Sequence, residues 1–66
     1  MTLMDALEKA QQRTTLSPDD LLQVRHVLSV ADNEAEHLGK YPKMGSTVAI
    51  TLMHVEDELN RRAREA

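Results

Sequence analysis

Apolar residues at Leu21, Val24, Leu28, Ala31, Ala35 and Leu38 follow alternating steps of three and four. That spacing places them on one seam of an α-helix. A second stripe, Val48, Leu52, Val55 and Leu59, repeats the pattern, and a shorter one, Leu3, Leu7 and Ala10, precedes both. Boundary signals divide the chain accordingly. Thr2 and Asp5 have the spacing of a capping box, and Ser17-Pro18-Asp19-Asp20 supplies an N-cap, a proline at the first helical position and acids in the first turn. Gly39 is the natural stop for the long helix. Lys40 to Gly45 forms a loop, because Pro42 disfavours helix at Tyr41, and Ser46 is the expected cap of the last helix.

The pattern therefore predicts an all-α chain: an antiparallel helical hairpin over about 17–39 and 46–66, plus a short N-terminal helix over about 2–13. All of residues 1–66 belong to one helical domain. Chains this short bury only about 60% of the surface that their unfolded form exposes, so further stabilisation is expected. Cysteine is absent, which excludes disulfides and thiolate metal sites. What remains is helix packing with another chain, and assembly as a homodimeric helical bundle is the expectation.

A first helix of about a dozen residues spans about 18 Å and covers only the half of the hairpin near Ser17. Off the main seams, Val27 and Val30 on one helix and Ile50 and Met53 on the other are left needing cover, so they are the candidate dimer or partner interface. The plain alternative places all four in the core. Tyr41 and Met44 are candidate loop contacts, with Tyr41 capping the core as the plainer reading.

Composition sharpens this picture in three ways. Tyr41 is the only aromatic residue, and the remaining apolar set of Leu, Val, Ala, Met and Ile suits close helix-helix layers. The formal net charge of -3 argues against a nucleic-acid partner, which needs clustered Lys and Arg. No run approaches the roughly 20 apolar residues of a membrane span, and a cytoplasmic address is expected.

Chemistry finds little support. Glu34 and His37 have a Glu-x-x-His spacing, but with Ala35 and Leu38 on the seam they fall on its two flanks, and no metal or other cofactor is expected. His26 and His54 stand alone. Asp57 to Arg61 and Glu58 to Arg62 are favourable i,i+4 pairs, the Glu56-Asp57-Glu58 run reads as a solvated face, and Arg61, Arg62 and Arg64 complement the helix dipole. No nucleophile motif or phosphate loop is present, so a non-enzymatic chain is expected.

The stretch Ala35-Glu36-His37-Leu38-Gly39 followed by Gly45-Ser46-Thr47-Val48 resembles the helix, turn and recognition-helix start of helix-turn-helix regulators. That resemblance implies a DNA-binding transcriptional regulator. The intervening turn is longer than the usual three or four residues, and Val48, Ala49 and Ile50 offer no base-reading side chain. The expectation favoured by the residues is a protein-protein interaction module, a dimeric adaptor or inhibitor-type regulator that binds and masks another protein through apolar anchors at helical spacing.

Overall fold

The computed structural model describes all residues from Met1 to Ala66. It contains three α-helices, α1 (Leu3–Ala10), α2 (Pro18–Leu38) and α3 (Gly45–Glu65), with a short 3₁₀ turn at Arg13–Thr15 and no strands. No helix is long and apolar enough to cross a membrane.

Local chemistry accounts for most of the boundaries. At α1 the capping box forms in full: the Asp5 N–H donates to Thr2 Oγ1, and the Thr2 N–H donates to Asp5 Oδ2. At α2 the Asp20 N–H donates to Ser17 Oγ, with Pro18 in the first turn. Gly39 closes α2 in the left-handed conformation, φ 68°, which costs a glycine nothing sterically. The N–H groups of Gly39 and Lys40 both reach back to the Glu34 carbonyl, which closes the last turn.

Two boundaries differ from the sequence reading. Helix α1 stops at Ala10, because the N–H groups of Gln11 and Gln12 bond to the carbonyls of Glu8 and Lys9, three residues back, and the chain tightens into the 3₁₀ turn. Helix α3 begins at Gly45 with Met44 as its cap residue and no side-chain cap, so Ser46 does not serve that role. The Tyr41 carbonyl accepts from the N–H groups of both Met44 and Gly45, and this backbone turn replaces the hydroxyl cap. Tyr41 itself sits at φ 58°, a left-handed conformation that costs a non-glycine residue about 1 kcal/mol or more. Its half-buried side chain, packed against the core, holds it there.

One core cluster joins the three helices: Ala6 and Ala10 from α1, Leu21, Val24, Leu28 and Ala31 from α2, and Val48 and Val55 from α3. The two alanines let the short α1 approach closely, with Leu3 and Leu7 packed at the margin. Leu52 and Leu59 also lie at the margin of this cluster. The α2 seam fades toward the loop, where Leu38 is 68% exposed. The result is elongated, 38 × 20 × 15 Å, and its 4577 Å² of accessible surface exceeds the roughly 4,200 Å² of a compact chain of this mass.

Candidate functional site

The side chains picked out as an interface do not share one surface. Val27 is half-buried and packs against the core, so it belongs partly to the interior. Val30, 44% exposed, lines a shallow depression with Val27, with Met1 and Leu3 at the start of α1, and with Tyr41. A second depression continues along α2 through Leu22, His26 and Val27, again bordered by Met1. Helix α1 thus reaches the middle of α2 and leaves an apolar groove along its own edge.

Ile50 and Met53 lie elsewhere. At about 100° per residue, both fall roughly opposite Val48 and Val55 on α3, and so project away from α2. They are 53% and 60% exposed. Their neighbours on that face, Ser46, His54 and Asp57, are exposed as well. The loop candidates Tyr41 and Met44 are both half-buried; Tyr41 caps the core and also borders a broad surface depression.

That depression, about 560 Å³ and open to solvent, lies where α2 passes into α3. Asp32, Glu36, Lys40, Lys43 and Ser46 line it, a mixed-charge wall in place of the apolar enclosure that holds a small ligand. Lys40 Nζ donates to Glu34 Oε2 at 2.7 Å. Its ammonium pKa is raised by that hydrogen bond and by the carboxylate's charge. Glu34 is therefore engaged with a lysine, while His37 is exposed. The first turns of α3 present Ser46, Thr47 and Ile50 to solvent.

At the other end of the molecule stands a polar cluster of which the charge pattern disclosed one pair, Glu58 with Arg62, while Arg61 pairs with Glu58 and Glu65 instead of Asp57. Glu58 is only 5% exposed, a correction to its reading as part of a solvated acidic face. Arg61 grips it with two bonds, Nε to Oε1 at 3.0 Å and Nη2 to Oε2 at 2.6 Å, and Arg62 Nε donates to Oε2 at 2.8 Å. The hydrogen bonds from Arg61 and then Arg62 hold the Glu58 carboxyl at a pKa of about 2. Arg62 Nη2 also donates to the carbonyls of Arg13 at 3.0 Å and Leu16 at 2.8 Å.

Arg62 thus does more than complement the helix dipole: it ties the end of α3 to the segment that leads into α2. Arg61 turns to Glu65, at 2.7 Å, as well as to Glu58. The stripe Thr51, Val55, Glu58 and Arg62, in steps of four, three and four, was the signal that could have placed Glu58 on the inner face.

Comparison with known protein families, curated proteins and solved structures found no match. The chemistry of the surface therefore carries the functional reading.

Proposed function

We propose that the chain is a small non-enzymatic protein-protein interaction module, a helical hairpin with an accessory first helix that forms a homodimer and acts in the cytoplasm as an adaptor or inhibitor-type regulator. One observation carries this reading: apart from Met4 and Leu38, the large exposed apolar side chains fall on two separate faces. Met1, Leu22 and Val30 border the groove along α2, and Ile50 and Met53 stand on the outer face of α3. A dimeric adaptor or masking protein uses two such faces, one for its own copy and one for its target. Methionine on an outer face suits a target of adaptable shape, since a thioether side chain repacks easily.

The test combines mass and capture. Sedimentation of the purified chain across concentration is expected to give a dimer that does not grow further. Ile50→Asp and Met53→Asp are expected to keep the helical circular dichroism and the dimer but to lose a stoichiometric protein partner retained by the unaltered chain in a pull-down. A monomer at every concentration removes the self-association. Recovery of specific DNA that disappears on nuclease treatment would replace this reading with the helix-turn-helix one.

A further inference from the structure

The outer face of α2 carries a second heptad-like stripe, distinct from the buried seam. Asp19, Gln23, His26, Val30, Asn33 and His37 recur in steps of four, three, four, three and four. All six are exposed, and none has a side-chain hydrogen bond or ion pair within the chain. Such spacing lines the six along one side of the helix, five polar side chains around the apolar Val30.

The order of residues in this stripe is complementary to its own reverse. Counted outward from Leu28, Asp19 and His37 lie nine positions to either side, Gln23 and Asn33 five, and His26 and Val30 two. In a two-fold contact, residue i meets residue j and j meets i. An antiparallel α2 pair centred on Leu28 sets the Asp19 carboxylate against the partner's His37, whose imidazole N–H donates to it. It sets the Gln23 amide against the partner's Asn33, two groups that each donate and accept. At the centre His26 meets the partner's Val30, flanked by the groove residues Leu22, Val27 and Met1. The same arrangement places the positive N-terminus of each α2 beside the negative C-terminus of the other.

We propose that the partner on this face is a second copy of the chain, docked by an antiparallel, two-fold pairing of α2 with α2 in the register centred on Leu28. The proposal rests on the self-association reading above and specifies its geometry. It assigns Val27 and Val30 to the dimer and leaves Ile50 and Met53 free for a different protein.

Two experiments fix the register. The absence of cysteine makes crosslinking clean. Oxidised alone, D19C and H37C are each expected to stay uncrosslinked, because identical positions lie about 27 Å apart along the paired axes. Mixed, they are expected to give a disulfide-linked pair.

In sedimentation, Asp19→Lys and His37→Asp should each weaken the dimer roughly tenfold, since the symmetry doubles each change: the first removes both carboxylate acceptors and the second sets carboxylate against carboxylate twice. The double variant should restore it, which a general loss of helix stability would not do. Circular dichroism of each variant checks that α2 remains folded. A dimer in which D19C alone crosslinks, or in which the double variant fails to recover, overturns this register while the self-association stands. A wild-type chain that is monomeric throughout overturns both.

Discussion

At the end where α3 finishes, Arg62 bonds to carbonyls of Arg13 and Leu16, separated from it by 49 and 46 positions in sequence, and to a nearly buried Glu58. At the opposite end, where α2 turns into α3, the ion pair of Lys40 with Glu34 joins residues six apart, and the lysine side chain is 56% exposed. Both are charge-assisted contacts of similar length, yet they do different work. The first fixes how distant segments sit against each other, with little water to compete for its partners. The second decorates a turn that Gly39 and Tyr41 already define, and screening leaves it little to contribute.

The largest expected effect tests the frame on which both ends depend. Leu28→Asp puts an unpaired charge at a fully buried seam position, and its cost is comparable to the whole stability of a chain this size, about 3–10 kcal/mol. We expect loss of the helical circular dichroism signal, and a folded variant would break the seam assignment.

Next in size, Arg62→Ala takes the shared donor from the carbonyls of Arg13, Thr14 and Leu16 and leaves Glu58 held by Arg61 alone, and should lower stability by about 2 kcal/mol in a denaturant melt. A change no larger than that of an exposed arginine such as Arg64 would erase the contrast between the ends.

Acid provides a third test. The folded Glu58 pKa, about 2, lies below the ordinary value of 4.5, so the stabilisation linked to it is fully present above the ordinary value. It is lost as pH falls from there toward 2. Glu58→Gln should flatten melting temperature against pH in that window, and an unchanged slope would show that other carboxyls govern the acid limb. The smallest effect belongs to Lys40→Ala, for which no measurable shift of the melting midpoint is expected; a shift matching that of Arg62→Ala would put the two ends on equal footing.

The same contrast explains what the residue pattern disclosed. The starts of α1 and α2 and the stop at Gly39 were legible because their causes are local: a hydroxyl, a carboxylate or a glycine acts within three or four positions. The cap of α3 was not, since Met44 carries no cap signal and the Tyr41 carbonyl performs the task through backbone geometry. Glu58 was misplaced for a different reason. A run of three acids looks solvated until its neighbours in space are known, and what lies over Glu58 includes the approach to α2, far away in sequence. Among the candidate interface residues, Ile50 and Met53 are well exposed. Val27 is shared with the core, because α1 reaches farther along α2 than its position in sequence conveyed.

The long span of the Arg62 contacts also bears on the order of folding. Bringing together residues 46 or more positions apart incurs a loop-closure entropy before any contact rewards it. The loop between α2 and α3 is short, so those helices are expected to meet first and the clasp to close on a frame already built. Arg62 therefore sets the lifetime of the folded chain more than the speed of reaching it. In stopped-flow kinetics its removal should raise the unfolding limb and leave the refolding limb nearly where it was.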